Sequence, residues 1–295
     1  MTTAFHTNWS KPFCVRNWRE KYHLKDFEIL IIMLSALKWR QYNGSIILYA
    51  DKISAEEYYN LGIDHIYDLG IEEKLDNIDC SIDCNIFWAA SKLYALLDIQ
   101  EDVAMLDNDF IIWDDIRELL DNQKLVVIHD EKINSAVYPT KEFFKLRDGY
   151  SLKKEWDFSL PAYNTAFAYF NDDSFKNYYV TEAFKFMKGV KLINDRRSFM
   201  VFAEQRLLSM CANEKNIPVK ELSKIIELMN NNQRMYTHLW GYKNTLLKDS
   251  EERKRFCIRC IKRIIEDFPE EKNTISNIES LKEYYEEVER TSVIE

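Results

Sequence analysis

Hydrophobic residues fall in short buried-looking runs with amphipathic stretches between them, and the two alternate through the first half of the chain. The pattern predicts a first strand over Thr2–His6, a loop at Asn8-Trp9-Ser10-Lys11-Pro12, and an apolar-rich helix over Phe27–Trp39. Asn43-Gly44 reads as a turn into a buried strand, Ser45–Ala50, that ends at Asp51. Ser54 then caps a helix, with Glu57 at the capping-box position. Asp64–Leu69 reads as a short strand, Leu75–Cys84 as an acidic loop, Ile86–Leu97 as a helix and Val103–Leu106 as a strand. Ile116–Leu120 is expected to be helical and Lys124–His129 extended. Alternation at this spacing implies an α/β fold, a mostly parallel sheet covered by helices on both faces. Ligands of such sheets sit beyond the carboxyl ends of the strands.

The second half reads differently. Ala162–Phe170 is a strand candidate, and Ser174–Lys188, Phe199–Asn213 and Val219–Asn230 are helix candidates. Two charged helices follow, Ser250–Asp267 and Thr274–Glu289. The division this suggests is one α/β domain over 1–247 and a C-terminal helical extension over 248–295. With 295 residues, 46% of them apolar, the chain can bury a full core. Six Gly and five Pro are too few for a collagenous or many-turned all-β protein.

Charge narrows the partners. A formal net charge of −9 makes a non-specific nucleic-acid binder a poor reading, because phosphate neutralisation needs clustered Lys and Arg. The six Cys are dispersed, unlike a secreted disulfide framework. Cys257-x-x-Cys260 lacks a second Cys/His pair and reads as two small residues on one helix face. Met1–Phe13 has no apolar core of a secretory signal, and the longest apolar run, Ile29–Leu34, is too short to span a bilayer. The expected location is cytoplasmic.

Val103–Leu106 runs directly into Asp107-Asn108-Asp109. Two carboxylates one residue apart converge on a single cation when the backbone turns. Their hard oxygens suit Mg²⁺ or Mn²⁺, which also bind phosphate. Asp and Asn also favour ordinary turns, but Phe110-Ile111-Ile112-Trp113 is too apolar to follow a plain solvent turn. An aspartyl-phosphate phosphatase also places Asp-x-Asp after an apolar strand. There it belongs to the first strand, and here it lies a third of the way along the chain.

On these residues the chain resembles the GT-A-fold glycosyltransferases, in particular bacterial enzymes with glycogenin-like or capsule-type features. The resemblance runs from the N-terminus to Lys243. It implies a GT-A-like sheet, a divalent metal, and a nucleotide-diphosphate sugar as donor, a UDP-sugar foremost. Asp107 and Asp109 match the metal-holding Asp-x-Asp, with Asn108 between them at the donor. Phe87-Trp88-Ala89-Ala90-Ser91-Lys92-Leu93-Tyr94 is similar to the helix before that motif, with Lys92 toward the donor. His238-Leu239-Trp240-Gly241-Tyr242-Lys243 resembles the late His, Gly and Lys of the glycogenin-like enzymes. By that likeness His238 completes the metal site, Gly241 lets backbone approach phosphate and Lys243 meets the diphosphate. The Gly and Lys are more closely spaced here, and the usual Pro-Trp is absent. Trp9, Lys11 and Asp51 match the nucleoside cradle. Tyr163-Asn164-Thr165-Ala166-Phe167 resembles the strand entrance at the sugar, although Thr-Ala replaces the usual Ala-Gly. Glu204-Gln205 resembles the acidic helix feature near the acceptor, with Glu204 a candidate general base for an inverting enzyme. For each of these residues the plain alternative is a packing aromatic, a cap or a solvated charge.

The implied activity is transfer of a sugar, hexosyl-like and with retention favoured, to a glycan or lipid-linked hydroxyl in surface-polysaccharide synthesis. The rivals are a nucleotidyltransferase, disfavoured by the lack of a Gly-rich phosphate loop, and a catalytically inactive scaffold of the same fold. Late in the chain, Arg253-Lys254-Arg255, Arg259, Lys262 and Arg263 flank an apolar stripe of Phe256, Cys257, Cys260, Ile261 and Ile264. A basic amphipathic helix can lie on an anionic membrane. The other reading, favoured by the nearby Glu266, Asp267, Glu270 and Glu271, packs the stripe on the domain and solvates the charges.

Overall fold

The structure is a computed structural model and describes every residue except 101, 136, 231 and 293–295. Its strands are β1 (Thr3–Asn8), β2 (Ile46–Ala50), β3 (Ile71–Glu72), β4 (Val103–Leu106), β5 (Phe110–Ile112), β6 (Leu125–Val127), β7 (Asp130–Glu131), β8 (Ala162–Tyr163), β9 (Phe167–Phe170), β10 (Val219–Glu221) and β11 (Tyr236–His238). The helices are α1 (Lys11–Arg16), α2 (Asp26–Tyr42), α3 (Lys52–Leu61), α4 (Ala90–Asp98), α5 (Arg117–Leu120), α6 (Asp173–Gly189), α7 (Arg196–Val201), α8 (Leu207–Glu214), α9 (Ile225–Met229), α10 (Tyr242–Lys248), α11 (Ser250–Asp267), α12 (Lys272–Asn277) and α13 (Lys282–Ser292).

Seven strands form one sheet in the order β10-β6-β9-β4-β1-β2-β3. All neighbours are parallel except β9, which runs antiparallel to β4 and β6. Both faces are covered, as the apolar runs require. In β4, Ala104 and Leu106 join the cluster that contains α2, while Val103 and Met105 join the cluster that contains α4 and α6. Crossing between β1 and β2 depends on Gly44, because a Cβ there would lie 2.3 Å from the Thr2 carbonyl oxygen. The expected α/β architecture, a mostly parallel sheet flanked by helices with helices at the C-terminal end, is the one observed.

Several local expectations are corrected. Asp51, not Ser54, caps α3: its carboxylate accepts from the Ser54 N–H at 3.0 Å, and Glu57 instead accepts from the Leu24 N–H. The helix starts as soon as β2 ends, so the earlier carboxylate takes the cap. Asp64–Leu69 is not a strand; Asp64–Ile66 is a 3₁₀ turn and the pairing passes to β3 beyond Gly70. Helix α4 begins at Ala90, after the residues expected to open it. Val219–Asn230 is not one helix. Its start pairs with β6 as the edge strand β10, and tertiary pairing overrides local propensity there. The expected strand Ala162–Phe170 breaks at Asn164–Ala166 into β8 and β9. The expected helix Thr274–Glu289 is divided into α12 and α13 around a 3₁₀ turn.

The C-terminal helices share the main core. Cys257, Cys260, Ile261 and Ile264 of α11 are buried in the same cluster as Leu30, Leu34 and Leu37 of α2. Full burial of each isoleucine contributes about 1.5–3 kcal/mol. Lys38 of α2 meets Asp267 at 2.7 Å. All six cysteines are free, and burial pushes the Cys260 thiol up to about 12, which suits the apolar reading of Cys257-x-x-Cys260. The apolar stripe of α11 therefore faces the core rather than a membrane. Its cations are largely neutralised: Arg253 by Asp26, Lys254 by Glu287, Arg255 and Arg259 by Glu252, and Arg263 by Asp267. Among the described residues, no helix is long and apolar enough to cross a membrane.

Candidate metal and diphosphate site

The site forms where β4 ends. The Phe110 N–H donates to the Asp107 carbonyl at 3.0 Å, closing a turn over Asp107-Asn108-Asp109. Two neighbours hold that turn. The Asp107 N–H donates to the Ala166 carbonyl at 2.7 Å, and the Asn108 side chain donates to the Thr7 carbonyl at 3.1 Å. Beyond the turn, β5 pairs antiparallel with β11 and sets His238 opposite Phe110. No periodicity marked this ribbon, because each of its strands is only three residues long. The ribbon brings His238 to the acidic pair from about 130 positions away, a separation read from the numbering. Ligand atoms of Asp107, Asp109 and His238 all lie within 4.8 Å of one another.

A buried relay braces the turn from below. Ser35 donates to the Phe110 carbonyl at 2.6 Å, and the fully buried His6 ring lies between Ser35 and Tyr67, 3.0 Å from each. Burial lowers the His6 pKa to about 3, so the ring is neutral and can donate on one side while accepting on the other.

Charge is arranged tightly around the turn. Lys92 of α4 is buried, 2.6 Å from Asp107 and in contact with Glu204. Burial disfavours its ammonium, but the two carboxylates outweigh that and raise its pKa. Burial likewise works against the charged Asp107, yet Lys92 holds its pKa below the ordinary value. Glu204 has its pKa raised, by burial first and by Asp107. Glu204 and Gln205 lie on a π-helical segment, Phe202–Arg206, between α7 and α8. Such segments recur at functional sites because the extra residue re-aims side chains. Lys243, in the first turn of α10, lies 2.9 Å from Asp109. Burial pushes the His238 imidazole down despite both aspartates, which favours the neutral ring.

Three cavities meet at this point, of about 250, 210 and 180 Å³, and Asp109 and Lys243 line all three. The middle-sized one has Thr7, Trp9, Trp88 and Lys92 in its walls. The smallest has Asn164, Glu204, Gln205, His238, Trp88 and Trp240. The largest lies on the α2 side, between Phe13, Tyr22, Ile31 and Ile32.

The sequence candidates separate on this geometry. Asp107, Asn108, Asp109, His238, Lys243, Lys92, Glu204, Gln205, Asn164 and Trp9 converge on these cavities. Asp51 and Lys11 do not line them. The Asp51 carboxylate is taken up by Ser10, the Lys11 N–H and Ser54, so it shapes the loop after β1. Lys11 is exposed. Gly241 has ordinary φ of −70° at the start of α10, and a Cβ there would meet nothing within 4 Å. Neither strain nor crowding demands glycine at that position. The side chain of Asn164 is spent on Glu131 and on the Ala166 N–H, so it fixes the break between β8 and β9. Trp88 and Trp240 line the smallest cavity and were not singled out from the sequence, where an exposed Trp and a core Trp look alike.

The chain is thus an α/β protein with an Asp–Asp–His cluster and two lysines at the carboxyl edge of its sheet. Residues 5–278 match the family described as a family of unknown function, DUF6734, and the chain belongs to that family. No curated protein matches the sequence. Solved structures similar to it include mouse xyloside xylosyltransferase 1 in its apo form, with 12% identity over 75% of this chain and 85% of that one, at a TM-score of 0.40. A Bacillus anthracis structure with sucrose, described as a candidate glucose-1-phosphate thymidylyltransferase, has 10% identity over 79% and 94%, at 0.41. The Streptococcus pneumoniae glycosyltransferase GlyE has 11% identity over 76% and 46%, at 0.33. At these TM-scores the likenesses carry no functional argument, which rests on the chain's own residues.

Proposed function

We propose that this protein is a metal-dependent glycosyltransferase that moves a sugar from a nucleotide-diphosphate donor to an acceptor hydroxyl. The observation that carries the reading is the convergence of Asp107, Asp109 and His238 within 4.8 Å, beside Lys243 and at the junction of three cavities. The donor set fits a divalent cation. His238 Nδ1 and Asn108 Oδ1 are buried without a hydrogen-bond partner, and buried polar atoms are rarely left so. A neutral imidazole and two carboxylates suit Mn²⁺ or Mg²⁺. When bound, the cation would supply charge neutralisation for a diphosphate leaving group.

The chain's own residues divide the remaining work. Lys243 stands where negative charge would grow on the departing diphosphate, and fixed cations aimed at developing charge are a large source of rate. Lys92 sits behind Asp107 and holds its carboxylate ionised and oriented. Trp9 walls the cavity assigned to the nucleoside, with a uridine diphosphate donor first to be tested. Glu204 and Gln205 line the cavity assigned to the sugars. If transfer inverts the anomeric centre, buried Glu204, with its pKa raised, is the group to take a proton from the incoming hydroxyl; with retention it lines the sugar cavity only. Retention of configuration and a hexosyl donor belong to the same reading, as does a transferase unit over 1–247 braced by 248–295.

Thermal melting tests the reading. With Mn²⁺ and one of UDP, GDP, dTDP or ADP near 100 times its dissociation constant, the folded state should gain about 2.7 kcal/mol. EDTA should abolish the shift. If metal-loaded, folded protein melts at the same temperature with every nucleotide, the transferase reading fails.

A further inference from the structure

Two tryptophans at the smallest cavity are left with work that packing does not explain. Trp88 is 44% exposed and Trp240 is 47% exposed, whereas Trp9, Trp39 and Trp156 are buried. Trp240 is also held in a backbone conformation that few non-glycine residues adopt, with φ of +47°. Its ring lies flat on His238, with centroids 5.5 Å apart and planes 11° apart. Strained backbone persists where the surroundings enforce it, and it clusters at ligand sites. Here it holds an indole at the cavity mouth, stacked on His238 and still half open.

The rest of the cavity wall mixes apolar and polar groups. Glu204, Gln205, Asp107 and Asp109 line it together with Lys92 and Lys243, which pair with its carboxylates. A cavity of about 180 Å³ is smaller than the roughly 300–1,000 Å³ that drug-sized ligands occupy. Its occupant must therefore be small, must offer a flat apolar face to indole, and must offer hydroxyl donors to carboxylates. A neutral sugar ring has these properties. Its axial C–H bonds point at the negative face of an aromatic ring, and its hydroxyl rim can donate to Glu204 and Gln205. A lipid tail would bring no polar partner to these groups, and an anionic acceptor would have to displace Asp107, Glu204 or Asp109 from lysines they already engage.

Resting on the transferase reading, we propose that the acceptor is a neutral sugar whose ring stacks on Trp240, with Trp88 as a second aromatic wall. Acceptor recognition is thereby tied to the segment that carries His238. A sugar seated on Trp240 would press on the imidazole that the ring covers.

Saturation-transfer NMR in the presence of Mg²⁺ and UDP tests this with the methyl glycosides of glucose, galactose, mannose and xylose. Glycerol serves as a polyol without a ring, and methyl glucuronide as an anionic ring. At least one neutral glycoside should saturate through its ring C–H protons, and glycerol and the glucuronide should not. Trp240→Ala should cut that signal at least fivefold and Trp240→Phe should keep at least half of it, while UDP affinity by calorimetry stays within twofold. Should Trp240→Ala fail to fold, Trp240→Leu makes the same comparison with a bulky non-aromatic side chain and should lose at least half of the signal. The proposal is overturned if no neutral glycoside binds, if the tryptophan variants bind as wild type does, or if the glucuronide binds equally well. Loss of UDP binding in wild-type protein sinks the transferase reading instead, and ring binding that depends on Trp240 would survive that result.

Discussion

Two clusters of charge stand out along this chain, and the fold treats them in opposite ways. The basic run on α11 cancels itself at the surface: Arg255 and Arg259 share Glu252, Arg263 meets Asp267 and Lys254 meets Glu287. The charges around Asp107 are drawn inward instead. Lys92 has only 8% of its side chain exposed and serves two carboxylates, while His238 Nδ1 remains unpartnered. Most of the surface set is paired within the chain, whereas the buried set keeps coordinating capacity unused. Charge density in a sequence does not separate these cases. Burial and unfilled valence do, because the charges of α11 have surface partners and water, whereas the Asp107 cluster keeps buried donor atoms such as His238 Nδ1 without a partner.

The largest effect expected from this contrast is on stability at Lys92. Lys92→Met keeps the bulk of the side chain and leaves Asp107 and Glu204 as neighbouring carboxylates without their cation. Breaking a buried ion pair in this way costs about 3–5 kcal/mol, and a value near the lower end is expected because Asp107 is 31% exposed. Urea unfolding measures it, and a loss under about 1 kcal/mol would break the contrast between the two clusters. At the small end stands α11. Arg255→Gln removes one arm of an exposed network whose partner Glu252 keeps Arg259. Isolated surface pairs contribute little, so the melting temperature and its salt dependence should match wild type within error. A clear destabilisation there would show that α11 relies on its charges more than on its buried stripe.

The sequence carried the frame of the fold well where an element is governed by its own residues. Val103–Leu106 and Ser250–Asp267 were expected with the boundaries they have, since one is a fully buried run and the other a capped amphipathic helix. It failed where an element exists only through a distant partner. Strand β10 is half-buried and polar and becomes extended by pairing with β6. Ribbon β5–β11 was not foreseen for the same reason, although both ends of it had been singled out, Asp109 for its carboxylate and His238 for its resemblance. Their convergence could be guessed only by analogy. Lys92, expected toward the donor, lines two of the cavities and also pairs with Asp107 and Glu204, a pairing that only the tertiary fold reveals. Asp51 and Gly241 were the readings that drew most on analogy, and geometry gives each an ordinary local role.

The central claim is that Asp107 and Asp109 hold a cation for a nucleotide-diphosphate sugar. The most direct test is release of nucleoside diphosphate from a panel of nucleotide sugars, in Mn²⁺ and in EDTA, by wild type and by the Asp107→Asn/Asp109→Asn double variant. The account predicts Mn²⁺-dependent release from one donor class. The folded double variant should lose it by a factor of about 10²–10³ or more, the scale of removing a stabiliser of developing charge. Release that persists undiminished in the double variant, or in EDTA, would contradict it.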